Sequence, residues 1–282
     1  MILNAIKNFF AGLAKPKTPK APKNPYFCNQ WSLFLEQEVS FYRSLNDQDK
    51  VIFEQRALLF LETTTVESGQ INVSDQDKLL VAASAIIPVW AFPDWHYLNL
   101  KTVYLLPHAF NENFEIGQPD SCITGMVGTG PMAGKMILSQ PALHLGFSND
   151  RDKQNVGIHE FVHLIDMMDG KCDGYPERLL DHQYSIPWFE LMEKKIQEIT
   201  RRKSNIRQYG ATNPAEFLSV TSEYFFERPQ MLQQKHPVLF ASLSEIYQQD
   251  VREIKEDIKV RKKDPCPCGS GKRYKHCCIE VS

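Results

Sequence analysis

The sequence predicts an α+β fold that is mainly helical, with a small sheet between two groups of helices. Apolar residues recur at helical spacing before residue 90 and after residue 150, whereas strand-like segments fall between residues 95 and 140. No internal repeat is visible. At 282 residues, with 43% hydrophobic residues, the chain can bury a sizeable core without disulfides or metal.

The first group of helices precedes residue 90. Residues 30–63 lack proline and repeat apolar residues at steps of three and four, which predicts helix. Ser74 and Asp77 have the spacing of a capping box, which opens a helix through Leu79–Ile87 that stops near Pro88. That helix is apolar nearly all round, so we expect it in the core.

The sheet and the second group of helices follow. Strands are predicted at Trp95–Leu106 and 135–140, separated by a loop over 111–134. We expect strand 135–140 to bind an extended peptide through its backbone, as the edge of a sheet can. Asp150-Arg151-Asp152 is predicted to cap a helix that ends at Asp169-Gly170. Further helices are predicted at residues 186–202, 213–227 and 237–260.

The two ends of the chain differ in charge from its body. The first 24 residues carry +5 and residues 261–282 carry +4, so a net charge of −2 leaves −11 between them. We therefore predict a basic flexible tail at 1–24, a globular domain at 25–262 and a separate module at 263–282. The tail combines an apolar helical pattern with lysines, so it could touch an anionic membrane surface or fold back on the body.

The cysteines and the N-terminus bear on the cellular compartment. Four of the seven cysteines lie within the last 17 residues, and clustered cysteines in a reducing compartment more often bind metal than form disulfides. The apolar N-terminus is interrupted by polar residues, which makes it a poor signal peptide, and no uncharged apolar run reaches 18 residues. We expect a cytoplasmic protein with no membrane span and no DNA binding.

A candidate metal site lies at His159-Glu160-Phe161-Val162-His163. Residues four apart share a helix face, so both imidazoles can reach one metal ion. Glu160 lies beside them, where it could act on a water molecule that the metal activates. The alternative is a buried histidine pair that only satisfies core hydrogen bonds.

A catalytic zinc needs a third protein ligand, which must come from elsewhere in the chain. The candidates are the carboxylates of the predicted helix 213–227, namely Glu216, Glu223 and Glu227. Glu216 and Glu223 lie seven residues apart on one face, so either could ligate while the other holds a histidine. For each glutamate the alternative is a solvated side chain on the helix surface.

Two segments resemble the Mlc titration factor A peptidases, which are similar to the catalytic domain of anthrax lethal factor. They are HEFVHLID at His159–Asp166 and the stretch that runs from Tyr209 through Ala-Glu216-Phe to Phe226. The resemblance implies a zincin-like domain of the gluzincin type, with a catalytic zinc held by His159, His163 and Glu216. It implies that Tyr209 donates a hydrogen bond to the oxyanion of the transition state.

In the implied mechanism Glu160 acts as general base and then as general acid. Glu223 then supports a ligand or packs its helix. Asp166, one turn after His163, is expected to orient a ligand histidine, and the alternative is a contact at the helix end.

The resemblance implies aminopeptidase-like hydrolysis of a peptide or protein substrate. The competing hypothesis is a regulatory protein that keeps the metal fold but sequesters a partner such as a transcriptional repressor, because the founding member of the family binds the repressor Mlc. Intact Glu160 and Tyr209 favour the enzyme, since binding alone would not need them.

The C-terminal residues form a second candidate metal site. Two thiols one residue apart, a Gly-Ser-Gly turn and two adjacent thiols can close a tetrahedral site, and so short a segment folds only around metal. The segment resembles the SEC-C motif, which implies a structural zinc with four ligands: Cys266, Cys268, Cys277 and Cys278. His276 is the reserve ligand.

The SEC-C resemblance also implies a role for the tail. In the preprotein translocase ATPase the motif binds a chaperone and ribosomes. We therefore expect the tail to dock to a protein partner such as a repressor, a chaperone or a ribosome, and solubilising charge is the alternative.

Overall fold

The computed structural model describes residues 27–149, 152–180 and 185–251. The described helices are α1 (Asn29–Glu38), α2 (Ser40–Ser44), α3 (Asp47–Thr63), α4 (Asp75–Ile86), α5 (Gln140–Ser148), α6 (Val156–Asp166), α7 (Ser185–Thr200), α8 (Pro214–Glu227), α9 (Pro229–Lys235) and α10 (Pro237–Tyr247). The described strands are β1 (Thr65–Glu67), β2 (Leu100–Leu106), β3 (Gly125–Val127) and β4 (Gly134–Ser139). The predicted α+β class, mainly helical with a small sheet, is confirmed. The predicted tails at 1–24 and 263–282 lie outside the described residues.

The four strands form one mixed sheet in the order β1-β2-β4-β3. β2 pairs in parallel with β1 and β4, and β3 pairs antiparallel with β4 through Met126 and Ile137. The prediction that residues 135–140 form the edge of the sheet was wrong, because β4 is paired on both sides. The edge strands of the described sheet are β1 and β3, and β3 lies within the region predicted as a loop. Its three residues are too few to show the alternation of a strand.

Several predicted helix boundaries also differ. The pattern over 30–63 is broken at Val39 and again at Asn46, whose side chain accepts hydrogen bonds from the first turn of α3. Asn155, rather than Asp150-Arg151-Asp152, caps α6 by accepting from Ile158 N. The helix predicted at 237–260 ends at Tyr247, because Gln248 adopts a left-handed backbone with φ of 49°. The capping box is confirmed: the Ser74 side chain accepts from Asp77 N, and the Asp77 side chain accepts from Ser74 N.

Helix α6 is buried at the centre of the described structure. Its Gly157 has no room for a Cβ, because one would collide with the Ser84 side chain of α4. On the same helix Phe161 packs edge-on against Phe60 and Tyr97, with ring centroids 5.7 and 5.0 Å away. This apolar packing fixes the rotation of α6, so its two histidines face away from the core packing and towards α8.

No helix of the described residues is long and apolar enough to cross a membrane.

Candidate metal centre

Helices α6 and α8 bring two imidazoles and one carboxylate together. His159 Nε2 lies 3.1 Å from His163 Nε2. Glu216 Oε2 lies 3.0 Å from the first of these nitrogens and 3.4 Å from the second. Among the described residues, this is the group of three ligand-type side chains whose atoms lie within 4.8 Å of one another. The structure thus brings together the three predicted ligands from segments more than fifty residues apart.

The spacing of these atoms fits zinc. For bonds of about 2.0–2.1 Å at tetrahedral angles, neighbouring ligand atoms lie about 3.3 Å apart, close to the three separations found here. Glu216 Oε2 is also buried without a well-aligned hydrogen bond from any described residue. A buried carboxylate oxygen without such a donor has an unmet need for a cation. Two nitrogens and one oxygen are a donor set that zinc accepts, and they leave a fourth position open.

Charge in the cluster favours a cation at its centre. Burial disfavours a charged imidazole, but the carboxylates of Glu223 and Glu216 outweigh this effect and raise the pKa of His159. Burial likewise opposes the charge of Glu216, yet the close approach of the two histidines lowers the pKa of its carboxyl group. A metal-free cluster therefore holds a proton on histidine, which zinc must displace on binding.

Glu223 contacts His159 from the side opposite the ligand cluster. Its Oε1 lies 2.8 Å from His159 Nδ1, and its Oε2 accepts a 2.6 Å hydrogen bond from Asn155 N at the start of α6. Arg207 forms an ion pair with the same Oε1. The helical spacing did not decide whether Glu216 or Glu223 is the third ligand. In the structure Glu216 lies at the Nε2 side of His159 and Glu223 lies at the Nδ1 side. Glu227 is buried in α8 and lies outside the ligand cluster.

Asp166 lies at the end of α6, beyond His163. Its Oδ2 accepts a 2.9 Å hydrogen bond from Gly174 N, which ties the following loop to the helix end. Burial raises the pKa of Asp166 to about 6. This contact is the helix-end role that the sequence analysis gave as the alternative. The orientation of a ligand histidine by Asp166 stays a prediction.

Glu160 and Tyr209 border a cleft of about 320 Å³ next to the histidines. Glu160 is only 6% exposed, and burial raises its pKa although the two histidines act in the opposite direction. Tyr209 lies in a 3₁₀ turn at Gln208–Ala211, just before α8. Its side chain is 50% exposed and its hydroxyl donates a 3.0 Å hydrogen bond to Glu216 Oε1. A carboxyl group with a raised pKa and a phenol donor therefore share one cleft with the candidate ligand His159.

Two residues that the sequence analysis missed also shape this cleft. A Cβ on Gly125 would lie 2.6 Å from Glu160 Oε1, so only glycine lets strand β3 cross Glu160 at this distance. Arg207 lies in the cleft wall and contacts Glu223. A glycine inside a short strand is the signal that could have found Gly125. No local pattern marks Arg207, because its contacts depend on the fold.

Comparison with known proteins supplies the family. An uncharacterized protein of Synechocystis sp. is 30% identical over 229 residues, which cover 77% of this chain and 82% of that protein. Mlc titration factor A of Serratia proteamaculans is 30% identical over 141 residues, 45% of this chain and 53% of that protein. Its counterpart in Edwardsiella ictaluri is 28% identical over 160 residues, 52% and 59% of the two chains. The match to each of these two titration factors thus spans little more than half of the relative's length.

Two family models match separate parts of the chain, and the boundary between the two matches lies close to the start of the basic C-terminal segment. Residues 263–280 match the SEC-C motif, so the predicted resemblance of the tail is confirmed. The individual cysteine ligands lie outside the described residues and stay predictions. Residues 14–248 match the family described as "Glucose-regulated metallo-peptidase M90". Because this match covers most of the sequence, the chain belongs to the M90 metallopeptidase family.

Proposed function

We propose that the protein is a zinc-dependent peptidase of the gluzincin type, with His159, His163 and Glu216 as ligands of its catalytic zinc. The observation that carries this proposal is the tetrahedral spacing of three buried ligand atoms beside Glu160 in an open cleft. When bound, zinc would supply Lewis-acid activation of water and of a peptide carbonyl. The open cleft would admit the substrate.

Glu160 is proposed to hold and move the proton. It takes a proton from the attacking water as general base and passes it to the leaving amine as general acid. A base of this kind works best when its pKa lies near the working pH, and burial shifts the pKa of Glu160 upward in that direction. It lines the same cleft as His159 and Tyr209, where the carbonyl of a substrate would bind.

Tyr209 is proposed to stabilise the oxyanion. Burial and the charge of Glu216 raise the pKa of its phenol, so the hydroxyl keeps its proton and remains a donor. In the structure that proton is donated to Glu216 Oε1, and the proposed role requires the half-exposed side chain to turn towards a substrate in the cleft. A donor of this type contributes about 3 kcal/mol to transition-state stabilisation.

The substrate is proposed to bind along strand β3. The outer side of β3 is unpaired within the described sheet, and the segment leading into it, from Cys122 to Gly125, lines the cleft. An extended peptide could therefore pair with the outer side of β3 from Gly125 onwards, whereas Ile123 already exchanges two backbone hydrogen bonds with Phe110. Gly125 would bring the scissile bond close to Glu160. β3 thus takes the role that the sequence analysis gave to residues 135–140.

The decisive experiment compares Glu160→Gln with the wild type. The amide keeps the size of the side chain but cannot accept the proton, so we expect full zinc content and loss of peptide hydrolysis. Glu62→Gln, on the exposed surface of α3, is the matched control and should keep both. Full peptidase activity of Glu160→Gln would overturn the proposal.

The aminopeptidase-like specificity is the finer part of this proposal. It rests on the family resemblance and calls for a substrate with a free α-amino group. Peptides with free and with acetylated N-termini, assayed with and without chelator, test it directly. Equal hydrolysis of both would replace the aminopeptidase with an endopeptidase and leave the roles of zinc and Glu160 in place.

A regulatory function is the second candidate, because two of the relatives reported above are named Mlc titration factor A. In this version the chain sequesters a protein partner, such as a transcriptional repressor. Glu160→Gln separates the two functions, since sequestration should survive a substitution that stops hydrolysis.

The proposal also covers the division of the chain, the C-terminal module and the cellular compartment. We infer a cytoplasmic protein in which a basic tail (1–24), a metallopeptidase domain (25–262) and a SEC-C module (263–282) act as separate parts. The module would hold a structural zinc through Cys266, Cys268, Cys277 and Cys278 and dock to a repressor, chaperone or ribosome. Deletion of 264–282 should remove one zinc per chain and the partner while peptidase activity remains. An unchanged set of partners would refute docking.

A further inference from the structure

Arg207 lies in the wall of the cleft, where it contacts Glu223. Its Nη2 forms an ion pair with Glu223 Oε1, and its Nη1 donates a 3.2 Å hydrogen bond to Gln154 Oε1. Glu223 is 2% exposed, so its charge needs partners that replace water. The structure gives it three, namely Arg207, His159 Nδ1 and the backbone N–H of Asn155.

These contacts form a continuous path to the candidate metal ligands. Arg207 and His159 approach the same oxygen of Glu223, while its other oxygen is fixed by Asn155 at the start of α6. With both oxygens held, the carboxylate has one orientation. In that orientation it accepts a hydrogen bond from the Nδ1–H group of His159, which leaves the lone pair of Nε2 directed at the ligand cluster.

Two features separate this arrangement from an ordinary surface ion pair. Arg207 is only 26% exposed, and its planar guanidinium bridges two segments that carry parts of the site. Gln154 directly precedes the Asn155 cap of α6, and Glu223 lies on α8. A lysine could supply the charge but not this fork of donors.

We propose that Arg207 is a positioning residue of the metal centre. It holds Glu223 in the orientation that fixes the tautomer and ring direction of His159, and so it strengthens zinc binding. This inference rests on the proposed zinc function. Without Arg207 the buried carboxylate can rotate, and its hold on the imidazole weakens.

The test measures zinc affinity of the full chain by competition with a chelator, using Arg207→Met and Arg207→Lys. We expect the Met variant to bind zinc about 10- to 100-fold more weakly, and the Lys variant to fall between it and the wild type. Arg201→Met, which removes an exposed arginine that does not line the cleft, is the control and should stay close to wild type. If the Met variant does not fold, the Lys variant carries the test.

A double-mutant cycle with Glu223→Gln separates positioning from general stabilisation. If Arg207 acts through Glu223, Arg207→Met should add little to the loss of zinc affinity already caused by Glu223→Gln. Wild-type affinity in Arg207→Met, or an equal loss with and without Glu223, would overturn the inference. The zinc content of Glu216→Ala, which lacks a proposed ligand of the catalytic zinc, measures the zinc that the C-terminal motif binds. Equal zinc in that variant and the wild type would overturn the proposed function together with this inference.

Discussion

Asp77 and Glu223 are two buried carboxylates with similar partners and different consequences. Asp77 is 0% exposed and Glu223 is 2% exposed. Each accepts a backbone N–H at a helix start, from Ser74 at 2.7 Å and from Asn155 at 2.6 Å. Each also contacts a histidine, at 2.7 and 2.8 Å. In both clusters these partners replace the water that a carboxylate loses when it is buried at the start of a helix.

The difference lies in what the histidine does beyond the carboxylate. The partner of Asp77 is His144, whose side chain is 41% exposed, and Gln140 adds two further contacts, so this cluster ties α5 to α4. The partner of Glu223 is His159, which is buried and presents its other nitrogen to Glu216 and His163. A carboxylate–histidine contact therefore stabilises the fold in one place and aims a candidate metal ligand in the other.

The largest expected effect is the loss of stability in Asp77→Asn. The amide cannot accept all of the hydrogen bonds that Ser74, Gln140 and His144 direct at this position, and buried donors are left without partners. We expect the free energy of unfolding to fall by about 2–4 kcal/mol, measured by chemical denaturation. Zinc content should not change, because this cluster does not touch the ligands.

The matched control for this variant is Asp75→Asn, two residues earlier in the same helix turn. Asp75 is exposed, so its replacement should change stability by about 0.5 kcal/mol or less. Wild-type stability of Asp77→Asn, or loss of zinc from it, would refute the statement that the Asp77 cluster stabilises the fold without affecting the metal site.

The next effect in size is on zinc affinity in Glu223→Gln. The amide keeps the volume of the side chain, but it loses the charge that fixes the Nδ1 proton of His159. We expect zinc to bind about 10- to 100-fold more weakly, or about 1.4–2.7 kcal/mol. Peptidase activity should recover when zinc is supplied in excess. Chelator competition on Glu223→Gln and Asp77→Asn in parallel gives the comparison, and equal affinity in both would refute the role of Glu223.

How far the sequence could predict these clusters depends on chain distance. The capping box at Ser74 and Asp77 spans four residues, and His159 and His163 are one helical turn apart, so local spacing was sufficient for both. Spacing could not choose between Glu216 and Glu223, because residues seven apart share a face. The family resemblance indicated Glu216, and the structure separates the two by the nitrogen of His159 that each contacts.

The features that escaped prediction are set by tertiary contacts. Arg207 contacts Gln154 from fifty-three residues away and Glu223 from sixteen residues away, and no local pattern records either contact. Strand β3 has three residues, and only its pairing with β4 identifies it as a strand. In the helix predicted at 237–260, the apolar stripe continues past Tyr247, but the left-handed Gln248 ends the helix there. Local pattern indicates element type, and the packing of distant segments decides where an element stops.

The smallest expected effect concerns His144, the histidine that contacts Asp77. Burial opposes the charge of Asp77, but hydrogen bonds from His144, Ser74 and Gln140 outweigh burial and lower its pKa. A lowered folded-state pKa contributes stability at pH values above the unfolded value of about 3.9, and that stability is lost as pH falls through the lower folded value.

His144→Gln should therefore cost about 0.5 kcal/mol at neutral pH, a small amount because the histidine is partly exposed to solvent. It should also move acid unfolding to a higher pH, because the pKa of Asp77 rises towards its ordinary value. Circular dichroism during an acid titration measures the midpoint. An unchanged midpoint would mean that His144 does not stabilise the charge of Asp77. The resemblance between the two clusters would then be limited to the backbone contact at each helix start.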